Sequence, residues 1–203
     1  MIDPQLAKVL LRSQELGLLG PGPIETHVDQ AMAMTKLIPL EARTADLGSG
    51  GGVPGLVLAT HRPDIRLICI DGSARRCSFL RWAIRELELE VGVLEGRAEV
   101  IGHRAELRGS FDAVVARSFG RPGVTAECAA GLLRTGGVLV VCEPPESAAT
   151  LERWDCDGLA VLGLGPASVA NEVGYHFAVL HQMAPLDAQF PRPNGIPAKS
   201  PIF

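Results

Sequence analysis

From residue 44 onward, short and uniformly apolar runs alternate with longer stretches of helical period. That alternation confines the chain to a parallel sheet with helices on its faces. The runs at 44–47, 66–71, 90–95, 112–116 and 137–142 read as strands, and their continuous apolar character predicts burial on both faces. Helices are expected at 55–60, at 74–87, weakly at 99–106, and at 124–133, the last closed by Gly136 and Gly137 as C-cap signals. Further on, 159–164 and 175–182 read as the two strands of an antiparallel hairpin on the sheet edge. Ahead of the sheet, 4–18 and 27–37 read as helices parted by the breaker Gly20-Pro21-Gly22-Pro23. The tail carries Pro191, Pro193, Pro197 and Pro201, which keep it out of helix and central strand. The expected fold class is α/β: a doubly wound, mostly parallel, seven-stranded Rossmann-like sheet with a C-terminal antiparallel hairpin. Residues 1–40 are expected to form a short helical cap and 41–203 the main domain.

Composition narrows the function. A chain of 203 residues, 47% hydrophobic and 21% charged, is expected to bury one core. Apolar runs such as 138–142 fall far short of the roughly 20 residues of a membrane helix. The first residues lack the layout of a secretory signal, so a cytoplasmic protein without a membrane partner is expected. The five cysteines form no C-x-x-C pair and the histidines show no ligand spacing, so no metal is expected. Cys69 and Cys142 fall in strand-like runs, where a cysteine acts as a small hydrophobe. A net charge of −4 argues weakly against nucleic acid. The local distribution differs, since Arg75, Arg76, Arg81 and Arg85 cluster on one expected helix.

The segment Asp46-Leu47-Gly48-Ser49-Gly50-Gly51-Gly52-Val53-Pro54-Gly55 follows the first strand and opens a helix. Glycines permit a tight turn and close approach of a ligand to the backbone, and a helix N-terminus offers N–H donors. Gly50, Gly52 and Gly55 satisfy G-x-G-x-x-G, and Asp71 lies at the distance expected of a ribose ligand, so a dinucleotide also fits the pattern. Two features favour S-adenosyl-L-methionine: the glycine series begins already at Gly48, and Asp46 stands just before it. A carboxylate there suits a cationic sulfonium and ammonium and opposes a pyrophosphate. Asp71, followed by Gly72, ends the second strand, where it can accept both ribose hydroxyls or cap the next helix, a task open to Ser73 as well. After the third strand, Ala98 and Glu99 either edge the adenine or simply start a helix.

These residues together resemble the RsmG (GidB) family of bacterial methyltransferases, which modify N7 of a guanine in small-subunit (16S) ribosomal RNA. The resemblance runs from about His27 to Phe203. It rests on Asp46 to Gly55, Arg62-Pro63-Asp64, Phe79-Leu80-Arg81, Arg97-Ala98-Glu99 and Ala116-Arg117-Ser118. Most specific is the tail, Phe190-Pro191-Arg192 through Gly195-Ile196-Pro197-Ala198-Lys199. It implies a class I methyltransferase with S-adenosyl-L-methionine as cofactor and S-adenosyl-L-homocysteine as product. By carry-over, Gly48 and Val53 contact the cofactor at the turn, where Ser49 and Gly50 are further candidates, Ala98 and Glu99 lie near the adenine, and Arg117 borders the reacting methyl group. The partner implied is ribosomal RNA or the small ribosomal subunit, met through cations such as Arg75, Arg81, Arg192 and Lys199.

The chain departs from the family pattern where substrate would be met. Gln30 replaces an Asp three residues after His27, and Cys142-Glu143-Pro144-Pro145-Glu146 replaces a Lys-Gly after the fifth strand. A paralogue acting on a small-molecule methyl acceptor is therefore the competing expectation. Guanine N7 already carries a lone pair and needs no general base, which suits a site without a recognisable His or Cys catalyst. Pro144-Pro145 has no preceding Asn or Asp and no following aromatic, so it reads as a loop rather than as an exocyclic-amine methylation motif.

Overall fold

A computed structural model describes residues 2–144 and 151–203. Helices α1 (Pro4–Glu15) and α2 (Ile24–Thr35) precede strand β1 (Arg43–Leu47). Then follow α3 (Gly55–His61), β2 (Arg66–Asp71), α4 (Ala74–Glu86), β3 (Gly92–Glu95), α5 (Ala98–Ile101), β4 (Phe111–Ala116), α6 (Pro122–Ala130) and β5 (Leu133–Glu143). The chain closes with α7 (Cys156–Val161), β6 (Ser168–Glu172), β7 (Tyr175–His181) and α8 (Ile196–Lys199). The strands form one seven-stranded sheet in the order β3-β2-β1-β4-β5-β7-β6. The first five are parallel, while β7 runs antiparallel to both β5 and β6. The order reverses between β1 and β4, so a crevice opens at their carboxyl ends, the place where open α/β sheets bind ligands.

Period-two alternation divides the central strands between two cores. Ala45, Leu47, Val114, Ala116, Leu139 and Val141 pack in one cluster, and Leu67, Cys69, Ala113, Val115, Val138 and Val140 in the other. A third cluster joins α1 and α2 to α3 and α4 through Leu6, Val9, Leu10, Val28, Leu56 and Phe79. Helix α1 forms because Asp3 caps it, its Oδ1 accepting from Leu6 N at 2.9 Å, with Pro4 in the first turn. The Arg62-Pro63-Asp64 motif is a staple. Arg62 pairs with Asp64 at 2.6 Å and donates to the carbonyls of Thr35, Ile38 and Pro39, tying the exit of α2 to the start of β2.

Several expected elements differ. Of the run 159–164, expected as a strand, the first half lies in α7, because Asp155 Oδ1 accepts from Gly158 N at 2.7 Å and caps a helix there, and Leu164 keeps an isolated antiparallel bridge to Gln182. Leu159 and Leu162 are then buried at helical spacing, and the hairpin partner of β7 is β6. Gly136 and Gly137 do not cap a helix. They lie within β5, where Gly136 has φ +81° and the register against β4 shifts, and α6 stops at Ala130. The helix expected at 99–106 is the single turn of α5, and the tail contains the one-turn α8. Pro145 and Glu146 lie outside the described residues.

The tail is bound over α5 and α6. Arg192 donates from Nη2 to Glu127 Oε2 at 2.7 Å and from its backbone N to Oε1 at 2.6 Å, and Glu127 is fully buried. Arg108 donates to the carbonyls of Phe190, Leu186 and Asp187. Arg192, expected as a surface cation, is thus a structural counter-ion. Removing it leaves a buried carboxylate without its partner, a change that costs about 3–5 kcal/mol. Arg192→Met is expected to lower stability by about that much in denaturant unfolding. The Glu127→Leu/Arg192→Met double variant, which removes both charges, is expected to recover most of it.

Candidate active site

The turn between β1 and α3 is held almost entirely from β2. Gly48 N and Ser49 N donate to the Ile70 carbonyl at 2.8 and 3.1 Å, and Ser49 Oγ accepts from Ile70 N at 3.1 Å while donating to the Asp46 carbonyl at 2.9 Å. Gly50 N donates to Asp71 Oδ2 at 2.9 Å, and Asp71 Oδ1 accepts from Ser73 N at 2.8 Å. The turn needs glycine where φ is +74° at Gly48 and +94° at Gly52. A Cβ at Gly48 would also stand 2.5 Å from the Phe119 ring. From the other side Ser13 Oγ of α1 donates to the Gly51 carbonyl at 2.9 Å.

Two cavities open at the crevice. The larger, about 630 Å³, is lined by Gly48, Ser49, Gly50, Val53, Arg117 and Trp154 among others. The smaller, about 330 Å³, is lined by Gly48, Asp71, Gly72, Ala98, Glu99 and Phe119 among others. Gly48, Arg76, Ser118 and Phe119 line both. The crevice therefore brings together nine of the ten residues singled out in the sequence. Asp46 stands apart: fully buried, it lines neither cavity, and its Oδ2 accepts from Gly55 N at 3.1 Å. The donors that a helix N-terminus would offer a ligand are thus partly spent within the protein, Gly55 on Asp46 and Leu56 on the Gly52 carbonyl. The glycines contribute space more than hydrogen bonds.

Electrostatics separate the carboxylates. Burial pushes Asp46 up to about 7 against the opposing Gly55 N–H and Arg117 charge, and its Oδ1 has no hydrogen-bond partner among the described residues. For Glu99, burial acts upward but is outweighed by backbone N–H groups, including that of Gly195 at 3.1 Å, and by Arg97 at 3.0 Å, which hold it below the usual value.

Arg117 follows β4 and points at the larger cavity. Its Nη1 donates to His27 Nδ1 at 3.0 Å and to Gln30 Oε1 at 3.4 Å, and among the described residues it has no carboxylate partner. Burial and the Arg117 charge lower the His27 pKa, so the ring is neutral at neutral pH, with its proton on Nε2 facing the Gly20 carbonyl at 3.3 Å. Gln30 is thus the second partner of this arginine. Glu143 is engaged by Arg153 at 2.8 Å and by Trp154 Nε1 at 3.1 Å. Cys142 also lines the cavity, but burial pushes its thiol up to about 12, leaving no thiolate to act as nucleophile. Phe119 and Trp154 carried no signal in the sequence, because neither lies in a motif. Among the described residues no group of three His, Cys, Asp or Glu side chains is placed to hold a metal ion.

A sheet of this order, with a glycine turn after β1, a carboxylate ending β2 and joined cavities at the switch point, is that of a class I S-adenosyl-L-methionine-dependent methyltransferase. The solved structure of an O-methyltransferase from Bacillus cereus in complex with S-adenosyl-L-homocysteine shares this fold, with TM-score 0.60 and 16% identity over 89% of this chain and 90% of that one. The chain belongs to the GidB family, whose model, described as rRNA small subunit methyltransferase G, matches residues 20–155. A relative of that name from Deinococcus radiodurans is 37% identical, covering 80% of this chain and 67% of its own. Another, from Syntrophomonas wolfei, is 30% identical, covering 90% and 87%. The resemblance read from the sequence is therefore borne out, as are the fold class, the enzyme class and the cofactor.

The state of Asp46 has a measurable consequence. Its value in the folded protein lies above the unfolded one, so its contribution to stability is full below about pH 4 and is lost as pH rises through about 7. Asp46→Asn is expected to remove this fall. Denaturation midpoints taken from about pH 5 to about pH 8 should run flatter than in the wild type.

Proposed function

We propose that this chain transfers the methyl group of S-adenosyl-L-methionine to N7 of a guanine in small-subunit ribosomal RNA. The observation that carries this reading is Arg117, a half-buried cation beside an open cavity whose hydrogen-bond partners among the described residues, His27 and Gln30, are both neutral. An acceptor held there needs negative charge nearby, as a phosphodiester supplies, and a lone pair that requires no base. Glu143 is already paired and His27 is engaged by Arg117, so neither stands ready to take a proton. The relatives named above carry the ribosomal substrate in their names.

In this reading, bound cofactor supplies a methyl group on a cationic sulfur, open to in-line attack. Asp71 and Gly72 hold the ribose, Ala98 and Glu99 the adenine, and Gly48, Ser49, Gly50 and Val53 the methionyl portion. Both Asp71 oxygens already accept a backbone N–H, and each retains a lone pair for a hydroxyl. Asp46 acts from behind, fixing the start of α3. Arg117 orients the acceptor. Residues 1–40 serve as a cap on the domain formed by 41–203, and the enzyme works in the cytoplasm, where ribosomal subunits are found. No described helix is long and apolar enough to cross a membrane. The second reading, a small-molecule acceptor, is favoured by Gln30 and by the residues after β5.

Labelled cofactor offered with small subunits lacking the modification, and separately with a metabolite extract, distinguishes the two. Arg117→Ala is expected to reduce transfer to RNA by about a hundredfold or more, the effect of losing one well-placed donor, with little change in product affinity measured by calorimetry. Arg117→Lys should rescue poorly, because a point charge replaces a planar fork. Transfer that is insensitive to salt and confined to the extract would reject the RNA reading.

A further inference from the structure

A hollow of about 460 Å³ lies beside the active-site crevice, between α1 and α4. Leu16, Leu18, Phe79 and Trp82 give it an apolar floor, and Arg12 and Arg75 stand at its rim. Leu18 also lines the larger active-site cavity, so the two share a wall. The neighbouring arginines divide between them, Arg76 facing the active site and Arg75 the hollow. Helix α4 carries four exposed arginines, at 75, 76, 81 and 85, and a single acid, Glu86, at its last position. Trp82 is only partly buried, its ring 5.5 Å from that of Phe79 and tilted by 43°. Arg75 donates to the Leu16 carbonyl, and Arg12 pairs with the exposed Glu15 at 2.8 Å.

A partly exposed indole in a hollow with guanidinium groups at its rim is well suited to a nucleotide. The base stacks on the ring, and its phosphates meet the cations. We propose that this hollow docks an unpaired nucleotide of the RNA substrate, next along the strand from the guanine in the active site. The base lies against Trp82 and the backbone against Arg75 and Arg12. This inference rests on the RNA reading above. It adds a contact that separates strand recognition from cofactor binding, since none of the floor residues other than Leu18 touches the crevice.

The chain has two tryptophans, so Trp154→Phe leaves Trp82 as the sole reporter. Titration of that variant with a single-stranded oligoadenylate of about eight nucleotides is expected to quench its fluorescence saturably, with affinity that falls as salt is added. In otherwise wild-type protein, Trp82→Leu is expected to raise the KM for small subunits on the order of tenfold, the worth of one stacked base. Trp82→Phe, which keeps an aromatic face, should stay near wild type, and the affinity for S-adenosyl-L-homocysteine should be unchanged in both. Absence of quenching, or an unaltered KM in Trp82→Leu while the wild type methylates subunits, overturns the proposal. Quenching that follows protein concentration rather than oligonucleotide would mark a contact between copies of the chain and overturn it equally. Quenching by oligonucleotide in a protein that leaves subunits unmethylated would support the docking site and reject the substrate reading.

Discussion

The crevice depends on how β1 and β2 share their carboxyl ends. Ser49 and Gly48 take the last free positions of the β2 backbone at Ile70, and Asp71 reaches back to Gly50, so the turn is stitched to the neighbouring strand rather than to a ligand. Asp46 performs the matching task for α3 by accepting from Gly55 N. Two acids and the hydroxyls of Ser49 and Ser13 therefore fix a loop whose glycines lose more conformational freedom on folding than any other residue. Pre-forming the loop lowers the ordering cost at the moment of binding, and a preorganised site spends less of its contact energy on itself.

That arrangement also explains the division of charge around the crevice. Asp46 is fully buried and only partly solvated by hydrogen bonds, and so is held near neutrality. Glu99 and Glu143 are tied to arginines. Arg117 alone, among the ionisable groups facing the larger cavity from β4, meets neutral partners. Among the described residues this half-buried guanidinium bonds no carboxylate, and its planar fork remains charged at any physiological pH.

The sheet was legible in the sequence because burial on both faces leaves continuous apolar strands, and the glycine turn because tight backbone approach admits few other residues. Edges and boundaries were less legible. The run 159–164 is as apolar as a strand, and the cap supplied by Asp155 draws its first half into a helix. Gly136 and Gly137 signal an interruption in either element, and tertiary pairing with β4 and β7 decides that they fall inside a strand. Within the site, Gln30 could be flagged by its position but not connected to Arg117, from which it is separated by 87 residues in sequence. Arg192 shows the opposite error. Its charge suggested a surface cation, and only the fold reveals Glu127 beneath it.

The tail links these observations, because it joins the smaller cavity of the crevice to the core of α6. Pro191 lies where a Cβ at Gly131 would intrude at 2.7 Å, so α6 and the tail approach closely only because that position is glycine. Arg192 then anchors the chain on Glu127, and three residues later Gly195, with φ +80°, presents its N–H to Glu99 Oε1. Asn194 receives Arg97 Nε at 3.1 Å, so both residues flanking Ala98 are held by the tail. A carboxylate that lines the smaller cavity is therefore positioned by a segment nearly a hundred residues distant in sequence. The buried ion pair fixes the register of that segment: a slip by one residue would strand Glu127 without its partner and withdraw the donor from Glu99. The proline-rich ending thus functions as a clamp, its stiffness limiting the loss of chain entropy on docking, and the shape of the smaller cavity around Ala98 and Glu99 follows from it.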